Sequence, residues 1–242
     1  MTSALVQLKS PRTKYKKTVV RTPTKPVAST GLFVLKRADS NAKLGGNKYR
    51  IEKGPFRGMA LYALTLEERA TCPLTCANWN RCYGDNMPFA VRHQADDSLL
   101  KALEQDAAKL AAKHATGFVV RLHVLGDFPS VTYVEFWGLL LVRHPELHIF
   151  GYTHWPYSTN VGKAVTALVQ EFAPRISILR SDGDDPADPL PCAMTVDAHA
   201  PAVPGTVLCP EQTGRTKSCL TCGLCMNGRT SVSFIDHSRK SR

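Results

Sequence analysis

The sequence predicts an α/β domain built on a parallel sheet, with a basic N-terminal arm and a cysteine-rich C-terminal extension. Three observations lead to this prediction. Short apolar runs alternate with helical segments through the middle of the chain, positive charge is concentrated near the N-terminus, and seven of the eight cysteines fall into two groups. A chain of 242 residues is long enough for one large domain or two small ones.

Strand and helix patterns alternate through the predicted core. The predicted strands cover residues 59–66, 118–124, 147–153 and 175–179, and the predicted helices cover residues 88–114, 130–142 and 160–172. The strands are short, apolar and rich in β-branched and aromatic residues, whereas the helical segments are longer, with Ser130 as a candidate N-cap. Such alternation predicts right-handed βαβ units and therefore a parallel sheet.

We divide the chain into three parts. Residues 1–57 form the basic arm, expected to be partly disordered, residues 58–182 form the βα core, and residues 183–242 form a loop followed by the extension. The stretch 181–204 is rich in aspartate and proline and predicts a surface loop. Residues 207–208 and 231–235 predict two further short strands.

Charge is strongly uneven along the chain. Residues 1–57 contain 14 lysines and arginines against two acidic residues, whereas the rest of the chain contains 17 basic and 18 acidic residues. A basic arm on a neutral body favours a nucleic-acid partner, since phosphate neutralisation drives binding of any sequence. A solvated tail and a targeting segment are the alternatives.

The sequence has no apolar run long enough for a signal peptide or a membrane span. We therefore expect a cytoplasmic protein, in the host cytoplasm if it is phage-encoded, with no membrane partner. In a reducing compartment, grouped cysteines bind metal or do redox chemistry more often than they form disulfides.

The two cysteine groups differ in their number of thiols. The first group comprises Cys72, Cys76 and Cys82, and the second comprises Cys209, Cys219, Cys222 and Cys225. Thiolates favour zinc or iron–sulfur clusters. Four thiolates close a coordination sphere, whereas three around a four-iron cluster leave one iron open. The eighth cysteine, Cys192, is either inert or a further ligand.

Polar or metal-binding residues follow each of the four predicted core strands. They are the first cysteine group, Gly126-Asp127, residues 151–154 and Arg180-Ser181. Because ligands collect at the carboxyl ends of parallel strands, these segments predict one site at a common rim. His154 is a candidate substrate contact or proton relay, and His123 a structural histidine.

These residues resemble the radical S-adenosylmethionine superfamily over about residues 58–182. That likeness implies a partial parallel (βα) barrel, with a [4Fe-4S] cluster held by the first group and S-adenosylmethionine on its open iron. It places Tyr83 beside the last cysteine, Gly126-Asp127 where a Gly-Gly-Glu segment steadies the amino group, and Ser181 in the cofactor-binding set. The superfamily spacing is C-x3-C-x2-C, whereas this chain has C-x3-C-x5-C.

The chain also resembles a group of phage and bacterial iron–sulfur proteins. The shared segments are Cys72-Pro73-Leu74-Thr75-Cys76 with Cys82-Tyr83, residues 123–129, Tyr152-Thr153-His154, and Cys209-Pro210 with the three later cysteines. Some members are similar to the radical isomerases of phage thymidine hypermodification. This resemblance implies that an amino acid attached to a thymine methyl carbon through nitrogen is re-attached through its α-carbon, with Asp127 and His154 as catalytic candidates.

The second group is expected to hold an auxiliary four-iron cluster, with a closed structural zinc site as the alternative. Trp79 and Trp155 are candidates either for stacking a DNA base or for packing. The leading function is thus a radical enzyme that acts on a modified base in DNA, contributes to evasion of host restriction and takes electrons from a reductant protein. The alternatives are a non-catalytic zinc protein that binds nucleic acid, and a radical enzyme with a peptide or small-molecule substrate.

Overall fold

A computed structural model describes residues 25–183, 185–197 and 199–236. Within these ranges one sheet contains eight strands in the order β1-β2-β3-β4-β5-β6-β8-β7. The strands are β1 Lys36–Arg37, β2 Ala60–Ala63, β3 Phe118–Leu122, β4 Leu147–Thr153, β5 Ile176–Ser181, β6 Cys192–Val196, β7 Val207–Leu208 and β8 Val232–Ile235. Only β1 and β2 pair antiparallel, so the predicted α/β fold with a largely parallel sheet is confirmed.

Three long helices connect the core strands. They are α1 Asp97–Lys113, α2 Val131–Arg143 and α3 Asn160–Glu171, and a single-turn helix, α4 Cys219–Cys222, follows later. Each long helix begins at a side chain that accepts backbone N–H bonds: Asp96 for α1, Ser130 for α2 and Thr159 for α3. The predicted cap at Ser130 is confirmed.

The prediction of a helix over residues 88–114 was wrong at its N-terminal end. Residues 88–96 form a loop, and α1 starts only after the cap at Asp96. His93, which lies within the range predicted as helix, is buried in this loop. Its backbone bridges to Val27 and Leu66, and its Nδ1 lies 3.0 Å from the Ser29 hydroxyl. These tertiary contacts override the helical composition of the segment.

The two faces of the sheet are covered by different parts of the chain. Alternate strand residues pack on α1, α2 and α3 in one cluster, which includes Tyr62, Val120, Ile149 and Ile178. The opposite face packs residues of the arm and the extension around the strands, including Phe56, Leu61, Val119, Phe150, Leu220 and Met226. Each such buried side chain contributes about 1.5–3 kcal/mol. The arm is therefore part of the core from Val34 onward, and residues 1–24 lie outside the described residues.

The prediction of an uninterrupted loop over residues 181–204 was also wrong. It contains β6, which runs parallel between β5 and β8. Proline-rich flanks and a length of five residues conceal this strand in the sequence. The short strands predicted at 207–208 and 231–235 are confirmed as β7 and β8. The first core strand is shorter than predicted, since it ends at Ala63.

None of the helices in the described part of the chain is both long and apolar enough to cross a bilayer.

Candidate metal centre

A cavity of about 330 Å³ lies at the carboxyl ends of the parallel strands. All seven grouped cysteines line it: Cys72, Cys76, Cys82, Cys209, Cys219, Cys222 and Cys225. The predicted site residues Tyr83, Gly126, Asp127, His154 and Ser181 line it too. The structure thus brings the two cysteine groups, separated by more than 120 residues in the chain, to one space.

The first cysteine group lies in the loop after β2. Burial raises the pKa of the Cys72 thiol well above its usual value, and the negative charges of Asp127, Cys76 and Cys82 add to that effect. Burial also raises the pKa of Cys82, to about 11, although the Gly84 N–H, 3.4 Å from its sulfur, acts in the opposite direction. These thiols stay protonated unless a cation is bound, because thiolate ligands lose their protons on metal binding.

A buried ion pair holds this loop in place. Arg92 donates from Nε to Glu68 at 2.6 Å, and its two terminal nitrogens donate to the carbonyls of Gly84 (3.0 Å) and Ala90 (2.8 Å). Gly84 has no room for a side chain, since a Cβ would lie 2.7 Å from Glu68 Oε1. The segment around Cys82 is therefore fixed to the residues that precede Cys72.

The second cysteine group is held against the basic arm. Cys219 and Leu220 donate backbone N–H bonds to the carbonyls of Lys43 and Leu44, and the Glu52 N–H donates to the carbonyl of Leu220. Gly223, at φ 68°, ends α4, and a Cβ there would lie 2.3 Å from the Lys53 carbonyl oxygen. Only glycine fits this approach.

Burial likewise raises the pKa of three thiols in the second group, Cys209, Cys219 and Cys225. It raises the pKa of Cys219 to about 12 and that of Cys225 to about 11. Negative charge on Cys225 and Cys209 raises the Cys219 value further, so these sulfurs lie close enough to influence one another. The set supplies four soft sulfur donors.

Asp127 connects three of the strand ends. Its carboxylate accepts hydrogen bonds from the Phe128 N–H (2.8 Å), the Thr153 hydroxyl (2.8 Å) and the His154 N–H (2.7 Å). Its own N–H donates to the hydroxyl of Thr71, next to Cys72. Gly126, at φ 82°, allows the close contact with Thr71, because a Cβ would lie 2.6 Å from that hydroxyl. Asp127 therefore fixes β3, β4 and the first loop relative to one another.

His154 faces the cavity beside two acidic groups. Its Nε2 lies 3.7 Å from Asp182 Oδ2. Burial alone would lower the pKa of His154, but Asp182, Cys76 and Asp127 together raise it to about 10. Asp182, at φ 49°, is itself held by the backbone N–H of Thr195 at 2.8 Å. These neighbours favour the protonated imidazole of His154 next to the first cysteine group.

The sequence reasoning did not single out Arg121, which lines this cavity, and it named Tyr152 only as part of a strand-end segment. The guanidinium of Arg121, on β3, lies 4.3 Å from the centre of the Tyr152 ring, on β4. The sequence does contain a sign of its importance, since Arg121 is the one charged residue in the apolar run FVVRLHV of residues 118–124. Burial raises the pKa of Tyr152 well above its usual value, with Cys225 adding to the effect.

Three other predicted candidates have structural contacts. His123 is buried, with Nε2 3.1 Å from the Tyr133 hydroxyl, and burial together with Arg121 lowers its pKa to about 3. The Trp155 indole donates to the Phe128 carbonyl at 2.7 Å and packs on the core. Cys192 is not among the cavity-lining residues that the structure describes, and its sulfur lies 3.6 Å from the Gly183 carbonyl oxygen.

The donor set fits iron–sulfur ligation. Iron–sulfur clusters are held by cysteine thiolates, one for each ligated iron, in surroundings whose burial and hydrogen bonds set the potential. Both cysteine groups supply such thiols at the wall of one cavity. Over residues 25–183, 185–197 and 199–236, no three His, Cys, Asp or Glu side chains are grouped as a site for a single metal ion.

The comparisons with known proteins place the chain in a family. A family model described as "Gene product 88" matches residues 34–228. The chain belongs to the Gene product 88 family. The matched range begins just before β1 and includes both cysteine groups.

Two relatives are phage proteins. The Gene 88 protein of Mycobacterium phage L5 is 26% identical over 199 residues, which is 74% of this chain and 78% of the relative. The Gene 88 protein of Mycobacterium phage D29 is 28% identical over 200 residues, with the same shares of the two chains. No solved structure matches the chain.

Proposed function

We propose that this chain is a radical S-adenosylmethionine-type [4Fe-4S] enzyme whose active site is the cysteine-lined cavity. The observation that supports it best is the convergence of a three-thiol group, a four-thiol group and His154 on one buried space. When bound, the cluster and S-adenosylmethionine would supply a carbon radical; the protein supplies orientation and a dry cavity.

The residues around the cavity have distinct roles in this proposal. Cys72, Cys76 and Cys82 hold the first cluster, and the Glu68–Arg92 pair keeps their loop in shape. Asp127 orients His154 through its backbone, and His154 offers a proton to the substrate from Nε2. Gly126, Tyr83 and Ser181 complete the wall at which the cofactor would bind.

We also propose that the sheet is a partial (βα) barrel. Strands β2 to β6 follow one another in sequence order and run parallel, and α1, α2 and α3 pack on one face. Sequential order with the crossover helices on one face is the arrangement of a barrel, whereas a doubly wound sheet reverses its order and carries helices on both faces.

The proposed substrate is an amino-acid-modified thymine in phage DNA. Moving the attachment from the nitrogen to the α-carbon is redox-neutral, because a hydrogen atom removed from the substrate is returned to it. The basic arm supports a DNA substrate. The Gene 88 relatives support a phage origin of the chain and therefore a site of action in the host cytoplasm. The proposed biological role is evasion of host restriction.

Metal analysis tests the cofactor part of this proposal. Protein purified without oxygen should contain about eight irons with matching sulfide, that is, two four-iron clusters. After reduction it should convert S-adenosylmethionine to 5′-deoxyadenosine. Cys76→Ala should lose about half of the iron and all of this activity, whereas Cys192→Ala, a cysteine that is not among the residues lining the cavity, should retain both. Stoichiometric zinc without sulfide would refute the proposal and favour the zinc-protein alternative.

The DNA part is tested by truncation and by product analysis. Removing residues 1–24 deletes six basic and no acidic residues and leaves the described residues unchanged. The salt dependence of DNA binding should then become shallower, by up to about 0.9 in slope for each phosphate that the protein no longer neutralises. Mass spectrometry of digested DNA should reveal an isomer of unchanged mass. Turnover of a free peptide but not of modified DNA would refute the substrate assignment.

A further inference from the structure

The cavity contains an arginine without a carboxylate partner. The Arg121 guanidinium lies between the Tyr152 ring, at 4.3 Å, and the Phe150 ring, at 5.5 Å, and donates to the Leu122 carbonyl at 2.5 Å. In the described residues no carboxylate oxygen lies within 4.0 Å of it. The side chain is half-buried, so its charge is less well solvated than at the surface, which favours a negative group nearby.

Two cysteines of the second group, Cys219 and Cys225, lie near this cation. Cys219 and Cys225 pack on the same apolar cluster as Phe150, and both are close enough to interact electrostatically with Arg121. Lys43, the other cation that lines this part of the cavity, already pairs with Glu211 at 3.7 Å. Among the described residues, Arg121 is thus a positive charge next to the four-thiol set that no carboxylate within 4.0 Å compensates.

The aromatic rings fix the guanidinium before any ligand binds. Tyr152 and Phe150 lie on β4, which pairs with β3 in register, so the ring positions follow from the sheet. Cation–π contact with the two rings stabilises the charge but does not neutralise it. The neutralising charge must therefore come from the cavity side.

We propose that Arg121 is the counter-charge of the second cysteine group, a positioning residue that stabilises the reduced, more negative state of the cluster held by Cys209, Cys219, Cys222 and Cys225. One-electron reduction adds a negative charge to a cluster that four thiolates already make anionic. A fixed cation at its edge favours that state, since net charge and surroundings set cluster potentials. The inference rests on the proposed function only in that this group binds a cluster.

The test measures the reduction potential of this cluster alone. In a Cys76→Ala background the first cluster is absent, so the signal from an EPR-monitored redox titration reports the second. Arg121→Gln should shift the potential downward by about 59 mV or more, a tenfold loss of reduced over oxidised cluster at fixed potential. Arg121→Lys should recover part of the shift, and Lys43→Gln, which removes an already paired charge, should change it less.

Each outcome decides the proposal. The proposal is overturned if Arg121→Gln at full iron content leaves the reduction potential of the second cluster unchanged. It is also overturned if the second cysteine group binds zinc. If Arg121→Gln fails to hold the cluster while Arg121→Lys holds it, the counter-charge role is supported; equal loss in both variants overturns it. The proposed function fails separately, when wild-type protein carries both clusters and forms no 5′-deoxyadenosine.

Discussion

Replacing Arg92 with glutamine tests whether the buried ion pair holds the first cysteine loop. Arg92 and Glu68 have side-chain exposures of 3% and 2%, and Arg92 also donates to two loop carbonyls. Glutamine keeps a polar side chain but removes the charge and most of the donors. Glu68 is then left as a buried carboxylate without its cation.

The expected cost follows from that burial. Removing one partner of a buried pair destabilises a protein by about 3–5 kcal/mol, because the remaining charge is uncompensated. This is a large fraction of the roughly 5–15 kcal/mol typical of native proteins. Replacing both partners, as in Glu68→Leu with Arg92→Met, should recover part of the loss, since no charge then remains buried.

Urea denaturation of the metal-free protein measures these costs. The control is Arg143→Gln, which removes an exposed pair with Glu104 and should cost less than about 1 kcal/mol. Iron retention after anaerobic reconstitution gives a second readout, in which Arg92→Gln should lose iron from the first group only. If Arg92→Gln lowers the free energy of unfolding no more than Arg143→Gln does, the Glu68–Arg92 pair does not hold the first cysteine loop.

Three further changes have defined outcomes. Gly151→Ala should destabilise the fold by about 1–3 kcal/mol or more in urea denaturation, because its Cβ would lie 1.8 Å from the Leu122 carbonyl oxygen; a neutral effect would contradict the tight β3–β4 approach. Asp127→Asn should lower the free energy of unfolding by about 1–3 kcal/mol, because the carboxylate accepts hydrogen bonds from Thr153 and His154. It should also weaken S-adenosylmethionine binding in equilibrium dialysis, and unaltered binding would exclude a positioning role for Asp127. His123 has a folded-state pKa of about 3, below its unfolded value, so stability is lost as the pH falls below about 6.5. His123→Asn should reduce that slope by up to about 1.4 kcal/mol per pH unit, and an unchanged slope would contradict the burial of this imidazole.

Local patterns were sufficient to predict the central part of the fold. The strands β3 and β4 and the helices α2 and α3 have strong periodicities and good caps, and they lie close to their predicted bounds. The errors lie where distant contacts decide. The loop before α1 is held by the hydrogen bonds of the Arg92 side chain and by the backbone bridges of His93 to Val27 and Leu66. Neither contact leaves a pattern in the local sequence.

The candidate site was only partly predictable for the same reason. The positions of Asp127 and His154 at the ends of predicted strands placed them with the first cysteine group, because the carboxyl ends of parallel strands lie at one edge of the sheet. It placed the second group beyond the core, whereas the structure sets it in the wall of the same cavity. That placement depends on backbone bonds from α4 to Lys43 and Leu44, which are about 175 residues away in the chain.

The basic arm consequently combines two roles that truncation can separate. Residues 1–24 supply positive charge, whereas the segment from Lys43 to Glu52 both covers the sheet and binds α4. A DNA contact made by the first part and a cluster site supported by the second would lie on one continuous segment. Removal of residues 1–24 should therefore weaken DNA binding at full iron content. Disruption at Leu44, by Leu44→Asp, should release the second cluster while leaving the first cysteine loop in place. That loop is held by the Glu68–Arg92 pair and by backbone bonds of Val27 to Arg92 and Gln94, none of which involves Leu44.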